Sequence, residues 1–280
     1  MFLCGGKIAP TETHANGDGD MTKRAVRRAG VIFGAVVSLI LSLLMSISTA
    51  AQQAPSPSPC AILLHGITKD SSSMTDIENA LRDAGFYTVN LDYPSKKHPI
   101  ETLAEMTVPR GLQACKKAGA APVYFVAHSM GSLLLRQYFD QRDASVIERA
   151  VMLGPPNQGS RLGNFLSCIP IIKDVNGPAG NQMGIDERSL PSRLGPVRFP
   201  LGVIAGTRSF NPLFSAIIDG NDDGIVGVPS TYVEGTCARV TYPLTHNGLT
   251  GSQQAIDQVV SYLTDGRFVG EEVEYFGCGP

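Results

Sequence analysis

The chain has 280 residues, is 43% hydrophobic and 17% charged, and carries a net charge of −2. That length holds one large domain or two small ones. Nothing in this slightly acidic balance points to nucleic-acid binding.

The first fifty residues read as a leader. Residues 1–20 are polar and Gly-rich, an extension from an upstream mis-start ahead of Met21. Lys23, Arg24, Arg27 and Arg28 form a basic cluster, Val31 to Ile47 is almost wholly apolar, and Ser48, Thr49, Ala50 and Ala51 are small. This order predicts a signal peptide over 21–51 and an exported protein, periplasmic or extracellular. The competing reading is an uncleaved membrane anchor at residues 31–48. Residues 52–59, ending Pro55-Ser56-Pro57-Ser58-Pro59, form a stiff Pro/Ser linker. The leader holds five of the 23 basic and three of the 25 acidic groups, which leaves the mature part near −4.

From residue 60 onward, strand and helix patterns alternate. Cys60-Ala61-Ile62-Leu63-Leu64 is short and fully apolar, as in a strand covered on both faces. Met74, Ile77, Leu81 and Ala84 repeat at helical spacing up to Gly85. Phe86–Leu91 reads as a strand and Glu101–Lys117 as a helix, with Pro109 as an interruption. Val123–Val126 is a strand followed by a helical run from Ser132 to Phe139. Ala150–Leu153, Leu201–Ala205 and Ala238–Leu244 complete the strands, the last of these being the final one. A closing helix presents Ile256, Val259, Val260 and Leu263 on one face. The alternation predicts an α/β fold, a mostly parallel sheet with helices on both faces. Right-handed crossovers gather the residues that follow each strand along one rim, where such sheets bind ligands.

Ala127-His128-Ser129-Met130-Gly131 lies at one of these strand-to-helix turns. A serine between small residues on such a turn is the nucleophile elbow of serine hydrolases, here with Ala127 in place of the first glycine. Its base comes from five histidines. His14 is in the leader, His98 in a loop, and His128 sits beside the serine but points the wrong way. His65 follows the first strand, which leaves His246 in Thr245-His246-Asn247-Gly248. The orienting acid comes from Asn221-Asp222-Asp223-Gly224, with Asp223 preferred and Asp222 in reserve. An Asp-Gly turn without function is the bland alternative. The amides of Met130 and Ile67 are the expected oxyanion donors.

These segments resemble a bacterial α/β-hydrolase of the secreted lipase/esterase type over roughly residues 60–267. Leu64-His65-Gly66-Ile67, the Ala-His-Ser-Met-Gly elbow, Asp223-Gly224-Ile225-Val226 and Thr245-His246-Asn247-Gly248 fall in that family's order. Asn90-Leu91-Asp92-Tyr93-Pro94-Ser95 and Pro155-Pro156-Asn157-Gln158-Gly159-Ser160 are further points of similarity. The resemblance implies an α/β-hydrolase fold over 60–280, a serine hydrolase acting on carboxylic esters, and no cofactor. Amidase, thioesterase or acyltransferase activity on the same residues, or a non-catalytic binding protein, are the alternatives. The expected partner is a small-molecule or lipid ester, with transient contact at a lipid interface.

Residues 157–197 carry too many Gly, Pro and Ser for one crossover helix, and read as a small cap. Phe165, Leu166, Ile169, Ile171 and Ile172 would line an acyl groove, with His65 as a further substrate contact. A helix and loop packed on the sheet edge is the competing reading. Cys60, Cys115, Cys168, Cys237 and Cys278 remain after the leader and lack zinc spacing, so no metal site is expected. Cys60 opens the first strand, and Cys115 ends the helix leading into its expected neighbour. Cys60–Cys115 is therefore predicted, with Cys237–Cys278 as a tie for the tail.

Overall fold

Alternation of side chains along β1 (Cys60–Leu64) organises the whole core. Cys60, Ile62 and Leu64 belong to one apolar cluster, Ala61 and Leu63 to another. Successive residues of a strand face opposite sides of the sheet, so a fully apolar strand demands cover on both. The computed structural model describes residues 57–167, 176–270 and 272–278. The expected extension, signal peptide and most of the linker, and Cys168, Ile169, Ile171 and Ile172, lie outside the described residues.

β2 (Tyr87–Leu91), β3 (Val123–His128), β4 (Ile147–Leu153), β5 (Leu201–Gly206) and β6 (Thr236–Tyr242) join β1 in a parallel sheet. β7 (Val273–Tyr275) adds antiparallel to β6. The strand order is β2-β1-β3-β4-β5-β6-β7. Helices α1 (Thr75–Asp83) and α5 (Gln253–Asp265) supply Ile77, Leu81, Val259, Tyr262 and Leu263 to the cluster around Leu63. Helices α2 (Ile100–Ala118) and α3 (Met130–Phe139) supply Leu103, Val108, Leu133 and Leu134 to the cluster around Ile62. Each such buried aliphatic side chain contributes about 1.5–3 kcal/mol.

Three expectations change. Pro109 does not interrupt α2, which runs unbroken from Ile100 to Ala118. Pro109 removes the bond to the Glu105 carbonyl, but Glu105 lies on the exposed side where water can replace it. The opposite face, with Leu103, Ala104, Thr107, Val108, Gly111 and Cys115, is buried. That packing outweighs an interior proline's cost of about 3 kcal/mol. The sixth strand spans Thr236–Tyr242, two residues earlier than expected, because Thr236 and Cys237 are themselves buried against β5. It is also not the last strand. The tail beyond Phe268 returns as β7, with Val273 opposite Val240.

Cys60–Cys115 and Cys237–Cys278 are joined as disulfides, with α-carbons 5.8 and 4.8 Å apart. They close loops of 55 and 41 residues, each worth about 4 kcal/mol of lost unfolded-chain entropy. The first ties the start of β1 to the last turn of α2. The second ties β6 to the segment that carries β7.

Candidate active site

The turn between β3 and α3 holds Ser129 at φ +53° and ψ −121°, a conformation unusual for a non-glycine residue. Serine before a helix normally caps it with its hydroxyl. Here the side chain makes no capping bond and its Oγ donates instead to His246 Nε2 at 2.8 Å. The turn is possible only because Gly131 has no side chain. A Cβ there would lie 2.5 Å from the Leu64 carbonyl oxygen and 2.8 Å from that of His65. Ala127, in the first small position, is fully buried.

His246 opens a short 3-10 turn whose N-cap, Thr245, accepts from the Gly248 amide. Its backbone amide donates to the Asp223 carbonyl at 2.9 Å, which fixes the two loops together. Its Nδ1 lies 2.7 Å from Asp223 Oδ2. A carboxylate only accepts, so the ring proton sits on Nδ1 and Nε2 is left to accept from the serine. The other Asp223 oxygen accepts from the amides of Ile225 at 3.0 Å and Val226 at 2.8 Å. Asp222 is turned elsewhere, accepting from the Gly224 amide and the Ser215 hydroxyl. The structure thus brings Ser129, His246 and Asp223 into one hydrogen-bonded line and leaves Asp222 out of it.

A cavity of about 260 Å³ opens over this line, with Ser129, His128, His246, Gly66, Ile67 and Ile225 in its wall. Among the described residues the Ile67 amide meets no acceptor. The Met130 amide stands at the first residue of α3, where helical amides have no internal partner and the helix dipole favours negative charge. A Cβ at Gly66 would come 3.0 Å from His128 Nδ1 and 3.3 Å from Ser129 Cβ, so glycine permits the close approach of this loop. The arrangement can pass a proton from Ser129 to His246 and offer donors to an oxyanion.

Two expected substrate contacts are placed differently. His65 is fully buried, and its ring stacks on Tyr93 at 3.9 Å instead of lining the cavity. Burial holds its imidazole below the usual range, and Nδ1–H donates to the Gly66 carbonyl at 2.8 Å. Phe165 in helix α4 (Arg161–Ser167) is 52% exposed and not part of the cavity wall. Leu162 and Leu166, one helical turn apart, face the cavity, and Phe165 lies about 100° around the helix from Leu166. Asn176, Gly180 and Met183 also line it, so the described parts of 157–197 do reach the space over Ser129.

His128 lies in the cavity wall. It is buried, and its Nε2 donates to the His246 carbonyl at 3.1 Å. Burial, with the adjacent His246 next, pushes its pKa down to about 3, so the ring is neutral. Its place beside the elbow serine was the only sequence signal. Arg136 of α3 is buried too, and burial lowers its pKa to about 10. It donates to the carbonyls of Asn157, Leu194 and Gly195, which ties the loop after β4 to the segment leading into β5. An arginine inside an otherwise apolar helix run marks such a role in sequence.

No known family profile matches the sequence, and no curated protein matches it. The fold does have relatives among solved structures. The mature form of Bacillus licheniformis lipase BlEst2 is 16% identical, with a TM-score of 0.57 over 71% of this chain and 89% of that one. Its propeptide form gives a TM-score of 0.62 over 79% of this chain and 53% of that one, also at 16% identity. Aspergillus fumigatus lipase B is 14% identical, with a TM-score of 0.57 over 74% of this chain and 52% of that one. The chain therefore spans about half the length of the last two. The sheet order, helical layers and these likenesses define an α/β-hydrolase fold.

Proposed function

We propose that this chain is an exported carboxylic-ester hydrolase that works through an acyl-enzyme on Ser129. The observation that carries the reading is the line Ser129 Oγ, His246 and Asp223, with steps of 2.8 and 2.7 Å, at the wall of a cavity. Ser129 Oγ attacks the ester carbonyl carbon as its proton moves to His246 Nε2. Asp223 holds the imidazole and stabilises the imidazolium that forms. The carbonyl oxygen becomes an oxyanion facing the Ile67 and Met130 amides. Collapse breaks the bond to the alcohol oxygen, which takes the proton from His246. Water then attacks the acyl-enzyme with His246 as base, releases the acid and restores Ser129.

The similar solved structures are lipases, which favours an ester or lipid substrate. The two disulfides suit an oxidising compartment, in keeping with the signal peptide read at 21–51. The hydrolase domain spans 60–280, with 157–197 as a cap over the cavity. Amide or thioester cleavage would use the same atoms and differ only in the leaving group. Turnover of p-nitrophenyl esters from acetate to dodecanoate, with a p-nitroanilide series alongside, tests the reading. Ester turnover that vanishes in Ser129→Ala supports it. Ester turnover equal in Ser129→Ala and the parent overturns it.

A further inference from the structure

We propose that Ser95 is a positioning residue for catalysis: it holds a strained turn at Thr68 so that the Ile67 amide stays aimed at the oxyanion before substrate arrives. This inference rests on the ester-hydrolase reading above.

Among the described residues only two besides glycine have positive φ, Ser129 at +53° and Thr68 at +62°. A β-branched residue in this region is a genuine outlier, and such strain persists only where its surroundings over-determine it. The first outlier is the expected nucleophile. The second directly follows the expected oxyanion donor.

The surroundings fix three successive peptide planes. The His65 carbonyl accepts from the Tyr93 hydroxyl, which sets the first. The Gly66 carbonyl accepts from His65 Nδ1 at 2.8 Å and from the Lys69 amide at 3.4 Å, which sets the second. A trans peptide is planar, with N–H and C=O opposed. Holding the Gly66 oxygen therefore turns the Ile67 N–H the other way, where among the described residues it meets no acceptor. The third plane, between Ile67 and Thr68, is set by the Thr68 amide donating to Ser95 Oγ at 3.2 Å.

This last bond crosses 27 residues, from the loop after β1 to the loop after β2. Ser95 is buried and pinned in its own turn by its amide donating to the Tyr93 carbonyl at 2.8 Å. It supplies the hydrogen bond to Thr68 itself. Without it, Thr68 is free to relax toward negative φ, which opens the Gly66–Lys69 turn and loosens the Lys69 amide's hold on the Gly66 oxygen, and with it the Ile67 N–H of the same plane. The donor would then need reorganisation at the moment of reaction, which is the cost preorganised sites avoid.

The test is kinetic. Ser95→Ala should lower kcat about tenfold, less than the 10²–10³ seen when an oxyanion donor is removed outright, with KM within about twofold. The inhibition constant of butylboronic acid, which forms a tetrahedral adduct on the serine, should rise by the same factor as kcat falls. In a Thr68→Gly background the turn needs no clamp, because glycine adopts positive φ readily. There Ser95→Ala should cost less than about threefold, a coupling that general loosening would not produce. Ser95→Cys keeps the volume but offers a weak acceptor, and should show the same kcat loss if Ser95→Ala fails to fold. Parental kcat in both Ser95 variants, or equal losses in the two Thr68 backgrounds, would overturn the proposal. If the parent protein itself shows no ester turnover and no covalent adduct at Ser129, the hydrolase reading has failed instead.

Discussion

Replacing Asp223 by asparagine changes one atom of the side chain and forces a choice of orientation. In one orientation the amide oxygen takes the place of Oδ1 and keeps the bonds from the Ile225 and Val226 amides, 3.0 and 2.8 Å away. The NH2 group then faces His246 Nδ1, where the carboxylate now stands at 2.7 Å. A donor there requires a bare Nδ1, so the proton moves to Nε2 and points at Ser129. The base is then in the wrong tautomer. In the flipped orientation the tautomer is correct, but NH2 faces two backbone amides. That leaves the buried Val226 amide, the part-buried Ile225 amide and the NH2 itself without partners, at about 1–3 kcal/mol for each buried group. The flip is thus unfavourable by several kcal/mol, and the wrong tautomer should prevail. Such an exchange costs about 10⁴-fold in kcat in the best-studied serine triad, or about 5.5 kcal/mol. The expected loss here is 10³–10⁴-fold in kcat for p-nitrophenyl butyrate, with little change in melting temperature. Asp222→Asn should stay within about threefold, because an asparagine oxygen can still accept from Gly224 and Ser215. A folded Asp223→Asn protein within tenfold of the parent, or a more severe loss in Asp222→Asn, would refute the assignment.

Three further outcomes follow from the same geometry. His128 is neutral in the folded state down to about pH 3 but ionises near 6.5 once unfolded, so between those values the unfolded chain binds the extra proton. Stability should therefore fall as pH drops from 6.5 towards 3, by on the order of 4 kcal/mol from this group. His128→Gln, followed by urea unfolding at pH 4 to 7, should show a shallower dependence; an unchanged slope would count against it. Cys115→Ser should lower unfolding free energy by about 2–4 kcal/mol, read from the urea midpoint, whereas an unaltered midpoint would mean the cross-link stabilises nothing. Leu166→Asp should reduce turnover of octanoate esters far more than of acetate, since each buried methylene is worth about 0.8 kcal/mol. Equal losses along the series would remove Leu166 from the acyl path.

The six parallel strands and the three residues of the hydrogen-bonded line are legible because their signals are local. An apolar pentapeptide such as 60–64 has few ways to be buried, and a serine on a strand-to-helix turn dictates its own surroundings. The order of segments then narrows the choice of base and acid, though Asp222 and Asp223 are separated only by which carboxylate faces His246. What stayed hidden depends on contacts distant in sequence. His65 looked like a substrate contact because it follows a strand end, but its direction is decided by stacking on Tyr93, 28 residues away. The place of His128 in the cavity wall is likewise not local, since its Nε2 is held by the carbonyl of His246, 118 residues on. β7 escaped notice because its three residues, Val273 to Tyr275, are too short and exposed to carry a pattern. Its place comes from the β6 edge and the Cys237–Cys278 link.

The central claim is that Ser129 is a nucleophile activated by His246. Intact-protein mass spectrometry after reaction with a fluorophosphonate, followed by peptide mapping, tests it most directly. One adduct per chain on the peptide holding Ser129 is predicted, absent from Ser129→Ala and formed at least a thousandfold more slowly in His246→Ala. No adduct on the folded protein, or one that maps elsewhere and persists in Ser129→Ala, would contradict the account.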